Sequence, residues 1–383
     1  MTTTDTSEKD LERLICTALT GHPCDPGSEG SGMLREEPAA YTHGGPGWIG
    51  SAPENYDREY CVDLRHLTIF LKATQPKTAE ALDLDHDSPT RRKFLARLQG
   101  EISKRGTIDV LRKGIKDGPH QVSLFYGTPS PGNEKAAERN RKNRFSVTRQ
   151  LRYSRDEKQR ALDLGLFING LPVATFELKN SLTKQTVEDA IEQYKRDRNP
   201  RERLFELGRC IVHFAVDDNE VRFCTHLKGK ASWFLPFNKG WNDGAGNPPN
   251  PEGLKADYLW KQVLPREGLT DIIENYAQIV ETKDIKTGKK NRTQIWPRYH
   301  QLHVVQRLLE DAGRDGTGRR YLIQHSAGSG KSNSIAWLAY QLIGLKKDDK
   351  PVFESIIVVT DRRVLDKQIR DTIKQFAQVG ATV

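Results

Sequence analysis

The stretch at residues 161–180, ALDLGLFINGLPVATFELKN, constrains the fold of this chain more than any other. Two apolar, β-prone runs, Leu162 to Ile168 and Pro172 to Leu178, flank the dipeptide Asn169-Gly170. Runs of this kind on either side of Asn-Gly predict a β-hairpin, because both turn residues tolerate the positive φ that a tight hairpin turn requires.

Three ionisable residues, Asp163, Glu177 and Lys179, lie inside this apolar hairpin. Charged side chains rarely enter such strands without a partner or a metal ion. A two-residue turn would place Asp163 opposite Phe176, on the wrong face, so bringing it opposite Glu177 requires a shift of one residue. A three-residue loop centred on Gly170, or a bulge, would supply the shift, and we predict such a loop.

Neighbouring carboxylates repel each other, and a magnesium ion held by Asp163 and Glu177 would relieve this repulsion while binding phosphate oxygens. Lys179 could then orient a water molecule or stabilise charge on the phosphorane. Asp…Glu-x-Lys on adjacent strands is the PD-(D/E)xK nuclease pattern. The same residues also fit a salt-bridged edge strand, and by themselves they leave both interpretations open.

Composition narrows the class of protein. The chain has 383 residues, enough for two or three domains, and its net charge of +9 suits an anionic partner. The mean hydropathy is −0.69, and no apolar run approaches the length of a membrane helix. The polar N-terminus lacks an apolar signal core, so we expect a cytoplasmic protein with no membrane partner.

Basic residues crowd the interval 135–155, directly before the hairpin, with Phe145 and Tyr153 among them. Such a run can neutralise phosphates and stack on bases, which makes Arg144, Arg149 and Arg152 candidate DNA contacts. A solvated charged surface is the alternative interpretation of the same run.

A second motif lies near residue 330. The strand-like run YLIQHS, the glycine turn AGSGKS and the helix-like run SNSIAWLAYQLIGL follow one another in the order that a P-loop requires. The nucleotide-binding residues predicted there are Gly328, Ser329, Gly330, Lys331 and Ser332. Lys331 can reach the β- and γ-phosphates of ATP, and Ser332 can hold magnesium, although His325 replaces the usual first glycine.

The run SIIVVT, at 355–360, and the helical pattern after it extend this motif to βαβα, the beginning of a RecA-like sheet. No DEx(D/H)-type strand follows before Val383. We therefore expect an incomplete motor that does not hydrolyse ATP by itself.

With both motifs placed, the chain resembles the N-terminal portion of the restriction (R, HsdR-type) subunit of type I restriction–modification enzymes. The stretches that carry the resemblance are LRKGIKDGP (111–119), NRFSVTRQLRYS (143–154), LDLGLFINGLPVATFELKN (162–180), HFAVDD (213–218), FLPFNKG with GAGNPPN (234–250), RYHQL (298–302), YLIQHSAGSGKSNSIAWLA (321–339) and VVTDRRVLDKQ (358–368).

The resemblance implies a magnesium-dependent endonuclease acting on double-stranded DNA, joined to an ATP-driven translocase of the superfamily 2 helicase type. It also implies modification and specificity subunits as partners, with S-adenosylmethionine used only by those partners. The family often carries Q-x-x-x-Y after the nuclease lysine. Here Ala190 stands four residues before Tyr194 and Gln193 adjoins it, which departs from that pattern.

Individual site residues follow from the same resemblance. Asp163, Glu177 and Lys179 match the nuclease motif, and Glu12 matches an acid of an N-terminal helix that assists the metal site. Gln301 matches the residue that reads adenine. The first helicase motif is matched by Gly328, Gly330, Lys331 and Ser332. The next motif is matched by Thr360, Asp361 and Arg362, of which Thr360 and Arg362 are candidate DNA contacts.

The predicted fold is α/β. A mixed-sheet nuclease domain of the PD-(D/E)xK type spans residues 1–280, a linker spans 281–297, and the first part of a RecA-like P-loop domain spans 298–383. The alternative is a fragment that binds DNA and nucleotide but has no independent catalytic activity.

Overall fold

The chain divides into two compact units, Met1–Glu274 and Asn275–Val383. A computed structural model describes residues 8–24, 47–157, 159–283, 288, 290–360, 369–370 and 373. Among the predicted site residues, Asp361 and Arg362 lie outside the described residues. No helix in the described ranges is long and apolar enough to cross a membrane.

The described part of the first unit contains a seven-stranded mixed sheet with the order β1-β6-β7-β8-β9-β10-β11. The strands of the unit are β1 (Trp48–Ser51), β2 (Tyr56–Asp57), β3 (Val62–Asp63), β4 (Ile115–Asp117), β5 (His120–Val122), β6 (Phe145–Arg152), β7 (Ala161–Ile168), β8 (Leu171–Leu178), β9 (Val212–Val216), β10 (Val221–Cys224) and β11 (Leu235–Pro236). The β1–β6 and β8–β9 pairs are parallel and the other pairs of this sheet are antiparallel. The predicted α/β class with a central mixed sheet is confirmed.

Helices surround this sheet. Those of the first unit are α1 (Glu8–Thr20), α2 (Leu64–Thr74), α3 (Pro76–Ala81), α4 (Pro89–Arg105), α5 (Thr107–Lys113), α6 (Glu134–Arg141), α7 (Val187–Arg196) and α8 (Arg266–Asn275), the last ending one residue past the division between the units. Because parallel strands need a crossover connection, α7 links β8 to β9 as a βαβ unit.

Strands β7 and β8 form the predicted hairpin, and a bulge sets their register. Asn169 (φ +50°) and Gly170 (φ +81°) both have the positive φ of a type I′ turn. Phe167 pairs with Pro172 next to this turn, but Leu166 pairs with Ala174, so one residue of β8 is skipped. The predicted three-residue loop is therefore wrong, and the bulge named as the other route supplies the one-residue shift.

Both faces of β8 are buried, which explains its continuous apolar character. On one face, Phe176 packs against Phe214 of β9 with ring centroids 5.1 Å apart. On the other face, Thr175 is hydrogen-bonded at 2.9 Å to the hydroxyl of Tyr194 on α7. Glu177 alternates with Thr175 along the strand and so shares the face covered by α7. A charge in this position is enclosed by protein on both sides of the sheet.

The described part of the second unit contains the helices α9 (Tyr299–Asp315) and α10 (Lys331–Gly344). Its strands are β12 (Gln278–Lys283), β13 (Lys290–Ile295), β14 (Lys346–Lys347) and β15 (Lys350–Pro351). β12 and β13 pair as a hairpin, so the range 281–297 predicted as a linker includes a β-strand. The β-branched residues Ile279, Val280 and Thr293 suit that pairing.

The predicted start of a RecA-like sheet is corrected by the structure. Residues 321–326 and 355–360 run without regular secondary structure. Leu322 is 94% exposed and Val359 is 88% exposed. A buried parallel strand pairs with neighbouring strands, and no strand of the described residues pairs with either segment.

Candidate active site

The shifted hairpin register brings two carboxylates side by side on one face of the sheet. Leu164 pairs with Phe176, so the next residue outward on each strand is Asp163 and Glu177. One oxygen of Asp163, Oδ2, accepts a hydrogen bond from the backbone N–H of Leu178 at 2.6 Å. The structure thus joins the two acids that the sequence predicts to act together.

Glu177 is fully buried and only half paired. Its Oε1 accepts a hydrogen bond from Nε of Arg198 at 2.5 Å, while Oε2 has no hydrogen-bond partner in the described structure. Burial, together with the negative charge of Asp163, raises the pKa of Glu177 from 4.5 to about 8. An isolated buried carboxylate oxygen beside a second acid is a donor set that suits a cation.

Lys179 lies immediately after β8, where the backbone is still tied to the sheet. Its N–H donates to the carbonyl oxygen of Val216 on β9 at 2.9 Å, and its side chain is buried. Its positive charge acts to lower the pKa of Glu177, although burial and Asp163 outweigh it. The ammonium group therefore lies within electrostatic reach of Glu177.

Glu12 on α1 is a third acid near this pair, and it is buried. Its Oε2 accepts from Nε of Arg149 at 3.1 Å and its Oε1 accepts from Nε2 of Gln150 at 2.7 Å. Burial, followed by the charge of Asp163, raises the pKa of Glu12 from 4.5 to about 7, against the opposing effect of Arg149. The structure therefore brings the predicted N-terminal acid to the same site.

Gln150, which the sequence did not single out, is held in an unusual backbone conformation. Strand β6 pairs with β7 on either side of it, through Arg149 with Leu164 and Leu151 with Leu162, yet its own φ is +50°. A non-glycine residue inside a strand with positive φ is strained, and such strain concentrates at functional sites. Here the conformation accompanies the hydrogen bond to Glu12.

The acids fit a divalent cation that keeps part of its water shell. No group of three histidine, cysteine or acidic residues in the described ranges is arranged to hold an ion alone. Magnesium characteristically uses one or two protein carboxylates, with water and substrate phosphate as its other ligands. Asp163 and the unpaired Oε2 of Glu177 fit that requirement, and Ser332 belongs to the separate nucleotide loop.

The candidate DNA contacts before the hairpin require a correction. Arg144 is buried and its Nε is 2.9 Å from Nδ1 of His66, while Arg149 is buried against Glu12. Neither side chain presents its charge on the surface, so the expected phosphate contact by these two residues is not supported. Arg152, at the end of β6, is exposed and stays a candidate. Thr360 is half-buried.

Arg198 is a site residue that the sequence interpretation missed. It lies two residues beyond α7, whose buried residues are Val187, Ala190, Ile191 and Tyr194. Arg198 continues that helical spacing, four residues after Tyr194. A charged residue continuing a buried stripe indicates a buried partner, and this signal was present in the sequence.

The nucleotide loop of the second unit is a turn that leads directly into α10. Gly328 (φ +74°) and Gly330 (φ +83°) adopt positive φ, and α10 begins at Lys331. Nζ of Lys331 donates to the carbonyl oxygens of His325 at 3.0 Å and Ser326 at 2.9 Å. The lysine thus folds back over the loop, in the region where a P-loop lysine meets phosphate.

Gln301 is buried against this loop. Its Nε2 donates to the carbonyl oxygen of Gly330 at 2.9 Å, and its Oε1 accepts from the backbone N–H of Arg298 at 2.9 Å. It therefore couples the start of α9 to the nucleotide loop. Ser329 is buried and Ser332 is half-buried at the beginning of α10. The predicted nucleotide-binding residues are thus contiguous in space.

Comparison with known proteins finds a matching family model for part of each unit. Residues 90–232, which include Asp163, Glu177 and Lys179, match the family model of the type I restriction enzyme R protein N terminus. The resemblance to the N-terminal portion of an R subunit is confirmed. Residues 300–382, which include the nucleotide loop, match the SWI2/SNF2 ATPase model.

Relatives of the R-subunit type agree with these matches. The chain is 28% identical over 246 residues to a Methanocaldococcus jannaschii protein named "Putative type I restriction enzyme MjaVIIIP endonuclease subunit", covering 61% of this chain and 21% of that protein. It is 28% identical over 249 residues to the type I restriction enzyme HindI endonuclease subunit of Haemophilus influenzae, covering 62% of this chain and 22% of that protein. The chain spans about a fifth of the length of these curated relatives.

Proposed function

We propose that the first unit is a magnesium-dependent DNA endonuclease of the PD-(D/E)xK type that acts within a type I restriction enzyme. The observation that carries this proposal is the burial and incomplete hydrogen bonding of the Glu177 side chain. Its side chain is fully buried beside Asp163, with one oxygen held by Arg198 and the other without a hydrogen-bond partner in the described structure. The match of residues 90–232 to R-protein N termini supports the same assignment.

The proposed mechanism is attack of water on a DNA phosphodiester. Asp163 and Glu177 would hold the magnesium ion, which when bound supplies Lewis-acid polarisation of a phosphate oxygen. Lys179 either positions the attacking water or stabilises the charge that develops on the phosphorane. Glu12 adds a third negative charge at the site, held in place by Arg149 and Gln150.

For the second unit, we propose ATP binding at Gly328, Ser329, Gly330, Lys331 and Ser332, with Gln301 toward the adenine. The match to the SWI2/SNF2 ATPase model supports nucleotide binding. ATP-driven translocation of double-stranded DNA is proposed for the complete R subunit, acting with modification and specificity subunits. S-adenosylmethionine would be used by those partners.

A second candidate function is a chain that binds DNA and nucleotide without catalysis of its own. The observation that favours it is the exposure of apolar residues in the second unit. Leu322, Ile357 and Val359 are each more than four-fifths exposed, and their segments join no sheet in the described structure. A nucleotide site without its sheet would bind but would not couple hydrolysis to movement.

The nuclease proposal is tested by Lys179→Ala in an R subunit that carries this sequence, assembled with its modification and specificity subunits. Plasmid cleavage is measured with magnesium and ATP, and ATP turnover is measured in the same samples. We expect cleavage to fall about 100-fold or more, because a charge aimed at the transition state is lost, while ATP turnover persists.

Lys184→Ala is the matched control, since Lys184 is exposed five residues further along the chain. That variant should cleave at the wild-type rate. Full cleavage by Lys179→Ala would reject the nuclease assignment. Loss of cleavage together with loss of ATP turnover would also count against a specific role in the chemical step.

A further inference from the structure

We infer that Arg198 is a positioning residue of the nuclease site. Its guanidinium fixes Oε1 of Glu177 and thereby leaves Oε2 available to a divalent cation. The inference rests on the proposed nuclease function, which it deepens by adding a residue that touches neither DNA nor the cation.

The contact between the two side chains is short and enclosed. Nε of Arg198 lies 2.5 Å from Oε1 of Glu177, and the side chains are 7% and 0% exposed respectively. A charge-assisted hydrogen bond of this length is stronger than a neutral one and has a defined direction. It fixes the rotation of the Glu177 carboxylate and so the direction of its second oxygen.

The guanidinium is itself held in place by aromatic packing. The Cζ atom of Arg198 lies 5.7 Å from the ring centroid of Tyr153, which is buried and packs against Phe205 with centroids 4.9 Å apart. Stacking of this kind orients the planar guanidinium, which an ammonium group could not reproduce. Arg198 is therefore fixed independently of Glu177.

The pairing differs from that of a salt bridge that serves stability alone. Arginine and carboxylate often pair through two parallel hydrogen bonds, which satisfy both carboxylate oxygens. Here Oε2 of Glu177 is buried and has no hydrogen-bond partner in the described structure. Leaving a buried oxygen unsatisfied is unfavourable for folding, so the arrangement is accounted for by a ligand that completes it.

The inference is tested by titrating the 383-residue chain with Mn²⁺ and measuring the binding affinity by isothermal titration calorimetry. The variants are Arg198→Gln, Arg198→Lys and, as a matched control, Arg196→Gln, because the side chain of Arg196 is 68% exposed and pairs with Glu192 outside the site. We expect Arg198→Gln to bind Mn²⁺ 10–100-fold more weakly, roughly the cost of removing a residue that orients a metal ligand.

Arg198→Lys should fall between wild type and Arg198→Gln, and Arg196→Gln should match wild type. If Arg198→Gln does not fold, as judged by circular dichroism, the comparison of Arg198→Lys with wild type decides the question. Wild-type Mn²⁺ affinity in either folded Arg198 variant would overturn the inference.

Glu177→Gln, titrated in parallel, separates this inference from the proposed function. If Glu177→Gln loses Mn²⁺ binding while Arg198→Gln retains it, Arg198 has no positioning role and the nuclease proposal stands. If Glu177→Gln also binds Mn²⁺ normally, the metal site itself is wrongly assigned and both proposals fail.

Discussion

At the scale of single residues, the candidate site is a cluster of carboxylates kept in an unfavourable electrostatic state. Glu12 and Glu177 are each influenced by the charge of Asp163, and both are buried. Arg149 and Arg198 offset part of this cost through one charge-assisted hydrogen bond each. The remaining imbalance is what a divalent cation would relieve, which links the burial of these residues to their proposed chemistry.

This cluster predicts a dependence of stability on pH in the absence of divalent cations. The pKa of Glu12 is raised from 4.5 to about 7 in the folded chain, so between these values the folded state keeps a proton that the unfolded state has lost. Stability therefore falls as pH rises through this window. A shift of one pKa unit corresponds to about 1.4 kcal/mol.

Thermal unfolding of the chain in chelator at pH 5 and pH 8 measures this effect. Between pH 5 and pH 8, Tm should fall less for Glu12→Gln than for wild type. The difference should be about 2–4 °C for each kcal/mol of pH-dependent stability that the substitution removes. Glu188→Gln, at an exposed position on α7, should behave as wild type. Equal pH dependence in wild type and Glu12→Gln would show that Glu12 does not carry the raised pKa.

At the scale of elements, two short structures position the functional groups. The bulge in β8 moves Glu177 next to Asp163, and the turn before α10 brings Lys331 over the nucleotide loop. In both places a glycine with positive φ, Gly170 or Gly330, is required. A Cβ atom at Gly170 would lie 2.4 Å from the carbonyl oxygen of Asp63, so that turn also fits closely against its neighbours.

The nucleotide loop predicts that Lys331→Ala weakens binding of ATP to the 383-residue chain. Loss of a charge-assisted contact to phosphate should weaken the affinity about tenfold or more, as measured by calorimetry with magnesium and ATP. Lys346→Ala is the control, because Lys346 is exposed on β14. Unchanged affinity in Lys331→Ala would mean that this turn is not an ATP site.

The sequence predicts the hairpin and its acids well because local signals determine them. Asn169-Gly170 specifies the turn, and the alternation of side chains places Asp163 beside Glu177 once the register is shifted by one residue. Whether a longer loop or a bulge supplies the register is not encoded locally. It depends on the pairing of β8 with both β7 and β9, which only the folded sheet defines.

Other features depend on contacts between distant parts of the chain. Arg144 and Arg149 look like DNA contacts in a basic run, but they are buried by His66 and Glu12, 78 and 137 residues away. The apolar run at 355–360 has the composition of a parallel strand, yet a strand forms only where neighbours can pair with it. Local composition indicates which surface or secondary structure a segment favours. Whether these two segments adopt it depends on residues distant in the sequence.

At the scale of the whole molecule, the chain carries two candidate sites in two compact units. The candidate nuclease acids belong to the unit Met1–Glu274 and the candidate nucleotide loop belongs to the unit Asn275–Val383. The net charge of +9 favours association with DNA in general and is not concentrated in the hairpin, whose site is acidic. A cation held by Asp163 and Glu177, as we propose, would offset this negative charge where DNA phosphate approaches.

The central claim is that Asp163 and Glu177 hold a divalent cation, and iron-directed cleavage of the protein tests it most directly. Fe²⁺ replaces magnesium in the 383-residue chain, and ascorbate with hydrogen peroxide generates hydroxyl radicals at the bound iron. Mass spectrometry then locates the backbone breaks. We predict breaks close to residues 163 and 177 that excess magnesium suppresses and that Glu177→Gln abolishes. Breaks that are absent from both positions, or that persist unchanged in Glu177→Gln, would contradict the account.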